Sequence, residues 1–310
     1  MVATALLLAA QAVPFDHHIH LRSPETYQLL SKLGLEQPRP EKEYTDITEL
    51  LRASPAQKCF VVSVAYMLAG FGLGAKELEA VKAENDHTAR ECAKLPGRAF
   101  GFASVNPLRD YAPGEIERCL SLPGIAGVKL HFDNSRVSLR DEQHAKAVRA
   151  VLLVAAKRNA PALVHMDNRQ PEFGAEDARA FLDQVLAELP PMEVYIAHLG
   201  TGGGYDESTR AVLGVFEKAL PGLKHKVFLD VSGIALPAAF RGIEPLTLEQ
   251  GKELAATMRR MGLGRFVFGT DFSVTDSATY RSSLRAALPL TDAEFDRVMH
   301  NTGPLMSGAN

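Results

Sequence analysis

Five residues that can bind a metal ion or transfer a proton stand at or near the ends of apolar segments in this sequence. His18 and His20 close the first segment, His165 the fifth, His198 the sixth and Asp271 the eighth. On a strand, the i, i+2 spacing of the first two histidines places both side chains on one face, about 6.6 Å apart along the axis. Imidazole and carboxylate groups are common ligands of divalent ions. The pattern therefore predicts a metal site assembled from several strand ends.

The elements that must position these residues are eight short apolar segments that alternate with segments of helical period. The apolar segments are 13–21, 58–66, 98–106, 125–132, 160–166, 192–199, 226–232 and 265–271. The helical segments are 75–94, 141–159, 175–189, 206–220 and 247–261, with two closing helices at 277–288 and 291–300. Strands that are apolar on both faces and separated by helices favour an α/β fold, a (β/α)8 TIM barrel, over a doubly wound open sheet. Barrel active sites lie at the C-terminal strand ends, where the five residues would meet.

Composition limits the classes of partner. The 310 residues carry 34 Lys and Arg against 37 Asp and Glu, a net charge of -3, so the basic excess that binds nucleic acid is missing. The three cysteines, Cys59, Cys92 and Cys119, are too far apart for paired zinc ligands, and any metal must be held by His and carboxylates. No segment is long and apolar enough to span a bilayer.

The chain ends and loops give weaker signals. Residues 1–12 form an apolar run that ends in an A-x-A pattern but lacks a basic start, so a signal remnant and a simple lead-in both stay open. We expect a cytoplasmic rather than an exported protein, with residues 13–310 as one domain. The segment 23–44 is expected to be a loop over the barrel mouth. Tyr66 is expected in the core.

The motifs FDHHIHL, GVKLHF, LVHMDN, YIAHLG, FVFGTDFS and HNTGPLM follow one another in order, one for each expected strand and one for the tail. Together, from Pro14 to Met306, they resemble the amidohydrolase superfamily, in its amidohydrolase-related branch of metal-dependent TIM-barrel hydrolases and decarboxylases. The resemblance implies one divalent ion, most often zinc and alternatively manganese. It implies the ligands His18, His20, His165 and Asp271, with Asp271 also in a catalytic role. It further implies that His198 acts as acid/base or binds a second metal.

Lys129 has two interpretations. In binuclear relatives of this superfamily, a lysine on the fourth strand is carboxylated and bridges two metals, and Lys129 lies on that strand. Because GVKLH-type segments are also usual in the mononuclear branch, we favour one metal. The alternative is a buried lysine paired with a carboxylate such as Asp271 or Asp16.

Other polar residues near the mouth are candidates for substrate binding or for support of the ligands. The candidate substrate contacts are His131, Arg136, Asn168 and Arg169. An arginine at this place could bind a substrate carboxylate with two hydrogen bonds. Asp16, expected on the same face as His18 and His20, is a candidate to orient one imidazole.

Three functions follow from these observations. The main expectation is a metal-dependent hydrolase of a small ester, lactone or amide, because a bound divalent ion activates water and polarises a carbonyl. The first alternative is a non-oxidative decarboxylase of an aromatic or unsaturated carboxylate at the same site. The second is a catalytically inactive metal-binding barrel. The expected partner is a small molecule, and a homodimer is left open.

Overall fold

Eight parallel strands follow one another in sequence order around a barrel, in a computed structural model that describes residues 12–34 and 44–303. The strands are β1 (Val13–Leu21), β2 (Ala56–Ser63), β3 (Ala99–Ser104), β4 (Ile125–His131), β5 (Ala162–His165), β6 (Glu193–Ile196), β7 (Lys226–Asp230) and β8 (Phe266–Val267). The segment after β8 returns to β1, where the amides of His17 and His20 donate to the carbonyls of Phe268 and Phe272, both at 2.9 Å. The predicted TIM barrel is confirmed.

Helices cover the outside of the barrel. They are α1 (Pro24–Lys32), α2 (Ile47–Ala53), α3 (Glu77–Ala93), α4 (Ala112–Cys119), α5 (Phe132–Ser135), α6 (Glu142–Lys157), α7 (Ala175–Ala180), α8 (Glu207–Ala219), α9 (Leu248–Met261), α10 (Ser277–Ala287) and α11 (Asp292–Met299). A π-helical turn and a 3-10 turn extend α7 to Glu188. The predicted helices are present, including the two closing ones. None of the described helices combines the length and the apolar character that a bilayer span requires.

The segment 23–44 is corrected in its first part. It begins with α1, where the Ser23 side chain accepts a hydrogen bond from the Thr26 amide and Pro24 occupies the first turn. Both features favour a helix start, because the first turn has unpaired amides and proline has none to satisfy. Residues 35–43 of this expected loop lie outside the described residues, as do residues 1–11 of the expected lead-in.

The barrel interior is closed below the mouth by aromatic side chains. Phe15, Phe60 and Phe102 are fully buried, and the Phe60 ring centroid lies 5.1 Å from that of Phe15 and 4.4 Å from that of Phe102. Tyr195 packs against the same group, 5.1 Å from Phe60. A second, mostly aliphatic layer fills the space between the strands and the helices. The interior is therefore filled below the mouth and is open to solvent and ligands at the C-terminal strand ends.

An irregularity in β1 decides which way its polar residues face. Asp16 pairs with Cys59 and Ile19 with Val61, so three steps along β1 match two along β2. This local bulge lets His17 stack on Phe15 in the interior, with ring centroids 4.2 Å apart, while the next residue points into the mouth.

The bulge also corrects the prediction for Asp16. Its carboxylate accepts from the backbone amides of His18 (3.1 Å) and Thr270 (3.0 Å) and from the Thr270 hydroxyl (2.7 Å). Burial raises the pKa of Asp16 to about 7, against the effect of these hydrogen bonds. Asp16 therefore ties β1 to the segment after β8 and contacts no imidazole.

Candidate active site

The C-terminal strand ends surround a cavity of about 710 Å³. The five residues singled out as ligands or proton carriers all line it: His18, His20, His165, His198 and Asp271. They come from the end of β1, the end of β5, and the segments just after β6 and β8. The barrel therefore gathers at one place residues that are far apart in the sequence.

The tightest group in this cavity consists of His18, His20 and Asp271, whose ligand atoms all lie within 4.8 Å of one another. Asp271 Oδ1 is 3.0 Å from His20 Nε2 and 3.5 Å from His18 Nε2. The other ring nitrogen of His20, Nδ1, is buried and has no hydrogen-bond partner within 12–34 and 44–303. Two imidazoles and one carboxylate thus converge on a common point.

The imidazole of His18 is held by a carboxylate that sequence analysis did not single out. His18 Nδ1 lies 2.8 Å from Asp230 Oδ2, and both residues are fully buried. Because the Asp230 carboxylate accepts a hydrogen bond from Nδ1–H of His18, Nε2 of the same ring keeps its lone pair and faces the cavity. Burial lowers the pKa of His18 to about 3, and the nearby Lys129 adds to the shift. A neutral imidazole whose Nε2 is unprotonated and carries a lone pair is the form that binds a metal.

Asp230 lies so close to the His18 imidazole that Gly269, in the segment after β8, has no room for a side chain. A Cβ built on Gly269 would lie 2.5 Å from Asp230 Oδ1 and 3.0 Å from His18 Cβ. Asp230 ends β7, and its signal was a carboxylate at the end of the seventh apolar segment, the same criterion that identified Asp271. Ser232 Oγ donates to Asp230 Oδ2 at 2.8 Å and completes the support.

Asp271 is the carboxylate of the central group. Burial alone would raise its pKa, but the imidazoles of His18, His198 and His20 outweigh burial and hold the pKa of Asp271 well below its usual range. The side chain is therefore an ionised carboxylate, which is the form that accepts hydrogen bonds and binds cations. Its backbone adopts the left-handed region with φ 56°. Such a conformation is uncommon for residues other than glycine and costs of order 1–3 kcal/mol, which the surrounding structure must offset.

Lys129 contacts an imidazole rather than a carboxylate. Its Nζ lies 3.1 Å from His18 Nε2, and no carboxylate of the described chain comes within ion-pair distance of it. The proposed pairing with Asp271 or Asp16 is therefore corrected, because the ammonium donates to the lone pair of His18. Burial lowers the pKa of Lys129 to about 8, although the charges of Asp271 and Asp230 oppose the shift.

His198 is fixed through one ring nitrogen. Its Nδ1 lies 3.0 Å from the Ser232 carbonyl oxygen and 2.9 Å from Ser232 Oγ, so Nδ1 carries the proton and Nε2 is left for the cavity. The backbone of His198 is left-handed, with φ 52°. A Cβ on Gly233 would lie 3.2 Å from His198 Nδ1, and Gly233 itself has φ 67°. The imidazole is packed against a glycine that cannot easily be replaced.

His165 and His131 form a stacked pair on the other side of the cavity. Their ring centroids are 3.9 Å apart with an interplanar angle of 13°. His165 also lies edge-on to His198 at 5.0 Å, but it is in neither of the two compact groups of ligand atoms. Its role as a metal ligand stays a prediction. Tyr66, expected in the core, is buried but also lines the cavity, with its ring 4.8 Å from that of His131.

The predicted substrate contacts at the rim divide into two groups. His131 and Arg169 line the cavity, and Arg169 Nε is bound to Asp133 Oδ2 at 2.9 Å. Arg136 and Asn168 are not among the residues that line it, and their role in substrate binding stays a prediction. Arg136 is exposed at the left-handed end of α5, and the Asn168 side chain accepts from the Gln170 amide at 3.1 Å. The Arg136 backbone and the Asn168 side chain thus take part in turns, which a sequence pattern does not reveal.

The residues present fit a divalent cation. The central group offers two imidazole nitrogens and one carboxylate oxygen, a mixed donor set that suits zinc and manganese. The Asp230 contact fixes the His18 ring with Nε2 toward the group, as metal-binding histidines require. A second compact group is formed by His18, His198 and Asp230, but Asp230 does not line the cavity and is engaged with His18 Nδ1 and Ser232, whereas all three residues of the first group line the cavity. We therefore regard the first group as the candidate metal centre.

Comparison with known proteins gives a family and a set of similar folds. A family model described as amidohydrolase matches residues 15–302. The structure of 5-carboxyvanillate decarboxylase from Sphingomonas paucimobilis has a TM-score of 0.62 at 12% identity, over 93% of this chain and 96% of that one. The structure of 2,6-dihydroxybenzoate decarboxylase from Rhizobium has a TM-score of 0.56 at 17% identity, over 93% and 95%.

A third similar fold was determined with a metal bound. It is a dihydroxybenzoic acid decarboxylase from Polaromonas, with manganese and the inhibitor 2-nitroresorcinol, at a TM-score of 0.57 and 16% identity, over 93% of this chain and 94% of that one. No curated protein matches the sequence. At these identities the similar structures establish the barrel fold.

Proposed function

The chain belongs to the amidohydrolase family, and on that premise we propose that it removes carbon dioxide from an aromatic carboxylate at a site for one divalent ion. The observation that carries the proposal is the position of His198, fixed beside the group of His18, His20 and Asp271 in one cavity. The similarity of the fold to several decarboxylases of aromatic acids supports this reaction over the hydrolysis expected from the sequence.

In this proposal His18, His20 and Asp271 hold the ion, and His165 is the proposed fourth ligand. Manganese is as good a candidate as the zinc expected from the sequence, because the donor set accepts both. The ion, when bound, supplies a positive charge that orients the anionic substrate and stabilises negative charge on it. The inactive alternative would require a disrupted ligand group, and the structure has three donors together.

The chemical task left to the chain is to move one proton. Decarboxylation breaks the bond between the ring carbon and the carboxyl carbon, carbon dioxide leaves, and the electron pair stays on the ring carbon, which must take a proton. We assign this transfer to the imidazolium form of His198, which would give its Nε2 proton to the ring carbon and keep the Nδ1 proton that is hydrogen-bonded to Ser232, ending as the neutral imidazole. The contacts to Ser232 fix the ring so that Nε2 stays directed at the cavity. The aromatic floor below excludes bulk water from that side.

The experiment is an activity panel on protein loaded with manganese or zinc and on the same protein after chelation. The panel contains dihydroxybenzoates, lactones, esters and anilides, and it measures released carbon dioxide and new acid groups separately. We expect carbon dioxide from at least one aromatic carboxylate, only in the metal-loaded protein. Cleavage of a lactone, ester or amide without carbon dioxide would contradict the proposal and restore the hydrolase expectation.

A further inference from the structure

We propose that Arg22 selects substrates by binding a second carboxylate, one that the reaction leaves in place. This inference rests on the proposed function, because it assumes an aromatic acid bound near His18, His20 and Asp271. It adds that the preferred ligand is an aromatic dicarboxylate. Arg22 carries the inference, because its Nε atom has no hydrogen-bond partner within residues 12–34 and 44–303.

Arg22 continues the alternation of the two β1 histidines. His18, His20 and Arg22 stand at i, i+2 and i+4, and all three line the same cavity. The Nε atom of Arg22 is buried and has no hydrogen-bond partner among the residues described by the structure. No carboxylate in that part of the chain lies within 4.0 Å of its guanidinium. A buried donor without a partner destabilises the free protein, and a ligand that binds it removes this cost.

The other arginines of the cavity are already engaged or exposed. Arg169 is bound to Asp133 at 2.9 Å, and its side chain is 70% exposed. Arg241 is exposed and lies over the Phe240 ring, 5.4 Å from its centroid. Arg22 differs from both, because it combines a partly buried position with an unfilled donor.

The surroundings of Arg22 hold it in place without neutralising it. Its guanidinium carbon lies 5.6 Å from the centroid of the Tyr27 ring on α1. The following amide, that of Ser23, donates to both oxygens of Glu84 at 3.2 and 3.1 Å, and the Thr26 hydroxyl donates to Glu84 as well at 2.5 Å. The Glu84 carboxylate is thus occupied by the start of α1.

The chemistry of the guanidinium defines the ligand class. Its planar fork of N–H groups matches a carboxylate, which can accept two parallel hydrogen bonds. Tyr66 lines the same cavity from the segment after β2 and offers a flat apolar wall for a ring. An aromatic acid with a second carboxylate would place one group at the metal centre and the other at Arg22.

Binding of simple aromatic acids to the manganese-loaded full chain tests this directly, by calorimetry, with benzoate, isophthalate and terephthalate as probes. We expect at least one dicarboxylate to bind about ten- to a hundredfold more tightly than benzoate, the size expected for charge-assisted hydrogen bonds. Arg22→Met should remove this preference and leave benzoate binding unchanged. Arg22→Lys should keep only part of it, because lysine lacks the planar fork. The matched control, Arg241→Met, should keep all of it.

Thermal unfolding separates this role from a structural one. Because Arg22 Nε has no hydrogen-bond partner among the described residues, Arg22→Met should leave the Tm of the free protein unchanged or raise it. Addition of the preferred dicarboxylate should raise the Tm of the wild type more than that of Arg22→Met, whose rise should match the one that benzoate gives. A dicarboxylate preference that survives in Arg22→Met, or its absence in the wild type, would overturn the inference.

The outcome can be separated from that of the proposed function. Dicarboxylate binding that depends on Arg22 without any release of carbon dioxide would sink the decarboxylase proposal alone. Release of carbon dioxide from an aromatic carboxylate, together with dicarboxylate binding that is equally tight in the wild type and in Arg22→Met, would sink the role of Arg22 alone.

Discussion

At the scale of single residues, the site depends on which nitrogen of each imidazole carries the proton. Asp230 accepts a hydrogen bond from Nδ1–H of His18, and Ser232 accepts one from Nδ1–H of His198, so both rings present Nε2 to the cavity. The two rings stack with centroids 5.0 Å apart. Asp230 at the end of β7 and Ser232 just after it thus hold the metal ligand His18 and the proton carrier His198 side by side.

We predict that Asp230→Asn lowers metal affinity about ten- to a hundredfold, the usual effect of removing a carboxylate that supports a metal-binding histidine. The amide of asparagine is a weaker acceptor and no longer fixes the tautomer of His18. Competition with a chelator of known affinity measures the change. Asp133→Asn, a carboxylate bound to Arg169 at the rim of the same cavity, is the control and should keep wild-type affinity. Equal affinity in wild type and Asp230→Asn would contradict the assignment.

We predict that His198→Asn lowers turnover by about 10² to 10⁴, the range typical of a lost acid/base, while metal content stays near that of the wild type. Asparagine keeps a polar side chain but cannot carry the proton. Metal analysis and kinetics on the same preparation measure both quantities. If added metal restored turnover in this variant, His198 would be a ligand and not the proton carrier.

The residue types at the site could largely be predicted from the sequence, because each stands at the end of an apolar segment. Asp230 also stands near the end of an apolar segment, but so do several other polar residues, and the sequence does not distinguish it from them. Arg22 was missed because its signal, an unfilled hydrogen-bond donor, exists only after folding. The sequence does not predict which way the Asp16 side chain points, because the bulge in β1 interrupts the alternation of side chains along the strand and has no sequence signal.

At the scale of elements, the strands and long helices follow hydrophobic periodicity, but the short helices do not. The helix α4 contains Pro113 and Gly114 in its first turn. Because these two residues are typical of turns, the sequence does not predict this helix. The helix α1 has a clear start at Ser23 and Pro24 but only nine residues. β8 forms only two ladder residues, because the segment after Val267 leaves the regular ladder while still bonding to β1.

A buried carboxylate network fastens α3 and α4 to the barrel, and it predicts a pH dependence of stability. Glu115 on α4 accepts from Arg118 at 2.8 Å, from Asn85 of α3 at 3.1 Å and from the Cys119 thiol at 3.1 Å. Asn85 in turn donates to the Ser104 carbonyl of β3 at 3.0 Å. Burial alone would raise the pKa of Glu115, but these donors outweigh it and hold the pKa below its ordinary value of 4.5.

Because the folded protein lowers this pKa, the stabilisation is fully present above pH 4.5 and is lost as the pH falls through the lower, folded-state pKa. We therefore predict that the free energy of unfolding falls more steeply below pH 4.5 in the wild type than in Glu115→Gln. Urea unfolding at a series of pH values measures this. Parallel pH profiles of the two proteins would refute the prediction.

At the scale of the whole molecule, the closed barrel brings β1 and the segment after β8 into contact and so assembles the metal centre. His20 and Asp271, 251 positions apart, meet at 3.0 Å only because the barrel closes. The barrel could be predicted from eight strand signals. Its substrate could not, because the cavity is shaped by side chains from many segments whose directions depend on folding.

We predict one tightly bound divalent ion per chain. All three residues of the first compact group line the cavity, whereas Asp230 of the second group does not line it and is bonded to His18 Nδ1 and Ser232. Metal analysis after removal of loosely bound ions measures the stoichiometry. The His20→Ala variant should lose most of its bound metal. It should also lose the rise in Tm that metal binding gives the wild type. Two tightly bound ions per chain, or a carboxylated Lys129, would contradict a mononuclear centre.

The most direct test of the proposed reaction follows solvent isotopes into the product. The metal-loaded protein is given an aromatic carboxylate that it consumes, once in deuterium oxide and once in water labelled with oxygen-18, and the organic product is analysed by mass spectrometry. We expect one solvent deuteron on the ring carbon that lost carbon dioxide and no solvent oxygen in the product. Solvent oxygen in an organic product, without deuterium at a ring carbon, would show hydrolysis and contradict the proposed decarboxylation.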